Sequence, residues 1–126
     1  MKIQQILITP TYKKENGLWV LDLDDIKIPF YIKERSIVNI PPSQIGGNHR
    51  HPRQEAFMGI GEYLELVWNE GGKSKRVEMN PEGKLILFII PPNLEHAVIN
   101  NSEAVNGILI EFADEAQRDI EVRKVI

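Results

Sequence analysis

Apolar residues in this chain come in short runs, and no long stretch keeps the three-to-four-residue spacing of an amphipathic helix. The runs predict strands over Ile3–Thr9, Leu18–Leu21, Ile28–Ile32, Ser36–Ile40, Ala56–Ile60 and Tyr63–Asn69. Further strands are predicted over Arg76–Met79, Leu85–Ile90, Ala97–Ile99 and Gly107–Phe112, and over Ile120–Val125, where apolar and charged residues alternate. Turn-forming clusters separate them: Lys14–Gly17, Pro41–Pro42, Gly46–Gly47, Asn69–Gly72, Asn80–Gly83 and Pro91–Asn93. The Asn-Glu-Gly-Gly segment reads as a hairpin turn, because Asn and Gly accept positive φ at low cost. Many short strands at regular spacing, punctuated by Gly and Pro, predict an all-β sandwich or barrel.

One segment departs from this pattern. Asp114–Arg123 carries acids early and a basic residue later, and Asp114 is placed to cap it, so a short C-terminal helix is predicted there. Phe57, Met58, Trp68, Phe88, Ile90, Ile108 and Ile110 are the expected core or cavity wall. Lys73–Arg76 reads as a solvated hairpin arm.

Composition narrows the chemistry. The chain has 126 residues, without internal repeat or linker, which predicts one domain over residues 1–126. There is no cysteine, so disulfides and thiolate ligands are excluded and any metal site must use His, Asp, Glu or backbone oxygen. A formal charge of −3 offers no basic footprint for nucleic acid. The N-terminus does not read as a signal peptide, and no segment approaches the ~20 apolar residues of a membrane span. The expectation is a cytoplasmic protein that binds neither membrane nor nucleic acid.

Two of the three histidines stand one residue apart, in Gly-Gly-Asn-His-Arg-His-Pro-Arg-Gln-Glu over residues 46–55. Residues i and i+2 of an extended strand share a face, so His49 and His51 point together. Pro52 favours an extended His51. Glu55 falls on the same face or is solvated at a strand start. Arg50 points the other way, into solvent, whereas Arg53 keeps the parity of the histidines. The third histidine, His96, lies in another β-rich segment that a barrel can bring alongside. Two or three imidazoles and a carboxylate suit a divalent metal: Zn²⁺, Mn²⁺, Fe²⁺ or Ni²⁺.

The two segments resemble the paired motifs of the cupin superfamily. The first motif has His-x-His, a glutamate three or four residues on, then a glycine, and is met by His49, His51, Glu55 and Gly59. The second, Pro-x-Gly-x-x-His-x-x-x-Asn, is met by Pro91, Asn93, His96 and Asn100. Asn93 stands in the place of glycine, the substitution that best survives positive φ. The family glycine before His-x-His falls at Ser43. The resemblance implies an all-β, cupin-type double-stranded β-helix (jelly-roll) barrel, usually dimeric, with a metal inside the mouth. It implies His49, His51, Glu55 and His96 as ligands of a divalent ion, Mn, Fe, Ni, Co or Zn, and a homodimer. Asn100 is expected to bond backbone at a strand end.

On that basis the leading expectation is a metal-dependent enzyme acting on a small polar molecule, a carbohydrate or nucleotide-sugar. The chain also resembles the sugar-nucleotide 3,4-ketoisomerases and related 3,5-epimerase-like proteins, in Asp25–Pro42, Gly46–Phe57 and Glu111–Asp119. That resemblance implies a metal-free isomerase in which His49 or His51 is the general base, with Tyr31 and Tyr63 as possible acids. A third expectation is a non-catalytic small-molecule binder or sensor.

Overall fold

A computed structural model describes residues 2–116, 121, 122 and 125. The strands are β1 (Gln4–Ile8), β2 (Tyr12–Lys13), β3 (Trp19–Val20), β4 (Glu34–Ile40), β5 (Ile45–Arg50) and β6 (Glu55–Ile60). They continue as β7 (Leu64–Glu70), β8 (Lys73–Glu78), β9 (Leu85–Ile90), β10 (His96–Asn100), β11 (Gly107–Ala113) and β12 (Glu121–Val122). One five-stranded sheet has the order β1-β9-β6-β11-β4 and the other β12-β5-β10-β7-β8. All pairings are antiparallel. From β4 to β11 the chain passes repeatedly between the sheets, which makes the architecture a cupin-type jelly-roll barrel. No helix among the described residues is long and apolar enough to cross a membrane.

The continuous apolar run of β9 has a direct explanation: both faces of its sheet are covered. Ile86, Phe88 and Ile90 point into the barrel, where they pack with Phe57, Leu66, Trp68, Val98 and Leu109. Leu85, Leu87 and Ile89 point outward into a second apolar layer with Ala56, Met58 and Phe112. An arm over residues 21–32 closes that layer with Leu21, Ile26, Ile28, Phe30 and Ile32. Ile28–Ile32, expected as a strand, is therefore non-strand cover. Pro29 lacks the N–H that a ladder needs. The arm is anchored by a 3₁₀ turn at Leu23–Asp25, capped by Asp22 accepting from the Asp24 N–H. Thr11 donates to the Asp25 carboxylate and accepts from the Asp22 N–H.

The hairpin at Gly71–Gly72 forms as expected, with φ of 57° and 80° between β7 and β8. The expected helix over Asp114–Arg123 does not form where it is described: Asp114 and Glu115 lie in a bend and Glu121–Val122 is strand. Residues 117–120 and 123 lie outside the described residues. Asp114 caps a strand instead, accepting from the Gln54 N–H while its own N–H donates to the Gln54 carbonyl. That exchange uses the groups a helix start would have needed.

Candidate active site

The histidine pair sits at the end of β5, and the local sequence explains its aim. Gly46 and Gly47, expected as a turn, lie within the strand. His96 pairs with His49 but Ala97 pairs with Gly47, so Asn48 is an extra residue that bulges from the ladder. Gly47 supplies the φ of +89° this bulge requires, and a Cβ on Gly46 would meet Ile40 Cδ1 at 3.0 Å. The bulge turns His49 into the barrel beside His51 and His96. The ring centroids are 5.0 Å apart for His49–His51, 5.1 Å for His49–His96 and 5.5 Å for His51–His96.

The second motif builds the other wall. Asn93 takes the left-handed φ of 64° and donates its N–H to the His51 carbonyl at 2.8 Å, so one motif holds the backbone of the other. His96 Nδ1 lies 2.8 Å from the Leu94 carbonyl, which can only accept. The proton is therefore on Nδ1, and Nε2 presents a lone pair to the interior. Ser43, in the family's glycine position, has φ of 61°. Asn100 bonds backbone as expected: its Nδ2 donates to the Ile40, Pro41 and Val105 carbonyls and its Oδ1 accepts from the Ser102 N–H.

Glu55 is buried, and its carboxylate is held on two sides. Arg53 Nε and Nη2 donate to Oε2 at 3.1 and 2.9 Å. Oε1 lies 2.8 Å from His51 Nε2 and 3.5 Å from His96 Nε2. The His51 contact is close, yet neither His51 Nε2 nor Glu55 Oε1 has a hydrogen-bond partner of regular geometry. Arg53 Nη1 also donates to Glu34 at 2.7 Å and to the Glu115 carbonyl at 3.2 Å. Only 3% exposed, Arg53 is thus a structural clamp rather than a solvated charge. Arg50, expected in solvent, is partly buried.

Electrostatics divide the site into groups with fixed protonation. Burial, with help from His96 and His51, lowers the His49 pKa to about 4, so its imidazole is neutral near pH 7. Burial likewise lowers His96. Burial acts to raise Glu55, but His51, His96 and Arg53 outweigh it and keep this carboxyl ionised below its ordinary value. Glu111, on β11, goes the other way: burial, then the charge of Glu55, raises it to about 7.

A cavity of about 50 Å³ lies between the sheets, lined by His49, His96 and Glu111 against Phe57, Val98 and Leu109. His51 and Glu55 stand behind this lining. A larger groove of about 230 Å³ runs outside the barrel past Pro10, Trp19 and Leu85, away from all three histidines. Tyr31 and Tyr63 are exposed and line neither the cavity nor the cluster. The structure brings His49, His51, Glu55 and His96, singled out in the sequence, close to one another. Sequence reasoning missed Glu34 and Glu111: with Ile108 and Ile110 expected on the cavity wall Glu111 would point outward, whereas Leu109 faces the barrel interior and Ile110 the outer layer, which turns Glu111 inward.

No family model and no curated protein matches this sequence. Solved structures do. A 3,4-ketoisomerase from Helicobacter canadensis is 22% identical, with a TM-score of 0.72 over 94% of this chain and 87% of that one. A dTDP sugar isomerase from Desulfovibrio desulfuricans is 14% identical, with a TM-score of 0.72 over 98% and 84%. The 3,4-ketoisomerase QdtA from Thermoanaerobacterium thermosaccharolyticum, a histidine mutant in complex with TDP-4-keto-6-deoxyglucose, is 16% identical, with a TM-score of 0.70 over 93% and 83%. These likenesses establish the fold.

They also correct the cofactor expectation. The divalent ion, Mn, Fe, Ni, Co or Zn, expected on His49, His51, Glu55 and His96 is overturned by the sugar ketoisomerases among the solved neighbours, which are metal-independent. The geometry agrees on the fourth ligand. Three ring nitrogens lie within 4.8 Å of one another, those of His49, His51 and His96, and Glu55 is not part of that group.

Proposed function

We propose that this chain is a ketoisomerase of nucleotide-linked keto-sugars that works by histidine acid–base chemistry. The observation that carries the reading is His49: a neutral imidazole on the wall of an apolar cavity, in a fold shared with ketoisomerases. A base must be unprotonated before it acts, and burial keeps His49 so. His49 removes a proton from the carbon beside the substrate's carbonyl. The electron pair moves into a carbon–carbon double bond, giving an enediol. The same imidazole then returns the proton to the former carbonyl carbon, and the carbonyl has moved by one position. Glu55, behind His49, stabilises the imidazolium that forms between the two transfers. The cavity admits only the reacting edge of a sugar ring, so the nucleotide lies outside the mouth.

The test is incubation with TDP-4-keto-6-deoxyglucose in deuterated buffer, followed by NMR. The expected result is an isomer with deuterium at the carbon that received the proton. His49→Asn is expected to lower the rate at least about 100-fold. Absence of both isomer and exchange, with this and other nucleotide-linked keto-sugars, would sink the reading.

A further inference from the structure

Enolisation needs an acid as well as a base. As His49 takes a proton from carbon, negative charge develops on the carbonyl oxygen, and a donor there lowers the barrier. The groups around the cavity leave few choices. His96 has its proton on Nδ1, turned to the Leu94 carbonyl, and offers only a lone pair inward. Arg53 directs its donors to Glu55, Glu34 and the Glu115 carbonyl. Tyr31 and Tyr63 are elsewhere, and no hydroxyl side chain lines the cavity among the described residues. The remaining ionisable side chain on the lining is Glu111.

We propose that Glu111 is the acid of the reaction, its carboxyl group protonating the substrate's carbonyl oxygen while His49 takes the proton from the adjacent carbon. The assignment rests on the ketoisomerase reading. Glu111 stands on β11 in one sheet and His49 on β5 in the other, so a ring edge entering the cavity meets them from opposite sides. Across the strands Glu111 faces Ser36 and Phe57. One step further along the same inward faces are Glu34 and Glu55, both bridged to Arg53. Glu111 has no hydrogen bond and no ion pair among the described residues. Two carboxylates nearby and an apolar wall therefore keep it in the acid form to about pH 7, while His49 stays unprotonated down to about pH 4. This reverses the ordinary order of imidazole and carboxyl, as an acid and base poised against each other require.

The proton balance closes without a co-reactant. The carbon–hydrogen pair becomes the new double bond, and the carbonyl oxygen takes the Glu111 proton. The Glu111 carboxylate then takes the proton of the neighbouring hydroxyl, whose oxygen becomes the new carbonyl. His49 delivers its proton to the former carbonyl carbon. Both side chains end as they began.

The experiment uses the full chain with TDP-4-keto-6-deoxyglucose, comparing wild type, Glu111→Gln and Glu111→Asp, with carboxyl carbon-13 NMR of the substrate-free wild type. For Glu111→Gln we expect kcat to fall about 100-fold with KM changed less than about threefold. Wild-type activity is expected to decline above about pH 7, a limb that Glu111→Gln lacks. Glu111→Asp should recover part of the rate, and one carboxyl resonance absent from Glu111→Gln should titrate near neutrality. The proposal is overturned if Glu111→Gln keeps kcat within about twofold, or if its lower rate retains the wild-type pH profile. An active wild type with that result leaves the ketoisomerase reading standing. A wild type with neither isomer nor exchange removes both.

Discussion

At the scale of single residues, the protein separates two kinds of buried charge. Glu55 is matched by Arg53, whereas Glu111 is not. Burial acts in opposite directions on the carboxyl of Glu111 and the imidazole of His49, which gives them opposite pH dependences of stability. Glu111 has a raised folded pKa, from 4.5 to about 7, so its contribution is present below pH 4.5 and lost as pH rises through about 7. His49 has a lowered one, from 6.5 to about 4, so its contribution is present above pH 6.5 and lost as pH falls through about 4. Urea denaturation at pH 5 and pH 8 should separate them. Glu111→Gln is expected to gain about 1–3 kcal/mol relative to wild type between those two values. An unchanged difference would mean that Glu111 ionises normally.

At the scale of elements, the bulge in β5 decides where the histidines point. Gly47→Ala would place a Cβ 3.5 Å from His49 Cε1 and 3.8 Å from Ala97 Cα, which is ordinary contact, so its effect comes from the φ of +89°. The expected cost is about 1–3 kcal/mol by urea denaturation, with a proportionally larger loss of the proposed isomerase rate as the bulge relaxes and His49 turns. Equal losses in stability and rate would show that the bulge does not aim His49. The same element shows what was legible beforehand. The His49/His51 parity and the His96 offset came from side-chain alternation and motif spacing, and both hold. The bulge did not, because two glycines inside a strand look like a turn until the partner strand is known. The arm over Ile28–Ile32 was misread for a related reason: an apolar run beside a proline marks burial but not hydrogen bonding. Asp114 could cap a helix or a strand, and only the position of Gln54 decides. Glu111 was invisible as a site residue because nothing local to β11 says which side chains face it across the barrel.

At the scale of the whole molecule, two apolar layers share one sheet but serve different ends. The inner layer walls the cavity, and the outer one binds the arm. Ile26, 7% exposed, belongs to the outer layer. Ile26→Ala is expected to cost about 2–4 kcal/mol and to increase binding of a hydrophobic dye as the arm loosens. The proposed isomerase rate per folded molecule should stay within about threefold, since His96 packs against Phe57 of the inner layer. A collapse of activity with the fold intact would mean that the arm positions the site through β6.

The reach of Arg53 along the chain has a temporal consequence. Its partners are 2, 19 and 62 residues away, so one guanidinium joins the first motif to β4 and to the segment after β11. A growing chain released stepwise from the ribosome cannot complete this junction until about residue 115 has emerged. Until then Glu55 has only part of its surroundings, and contacts this distant form late in folding. The clamp on Glu55 should therefore be completed only after β11 has emerged, and a nascent chain that has already threaded both histidine motifs still lacks it.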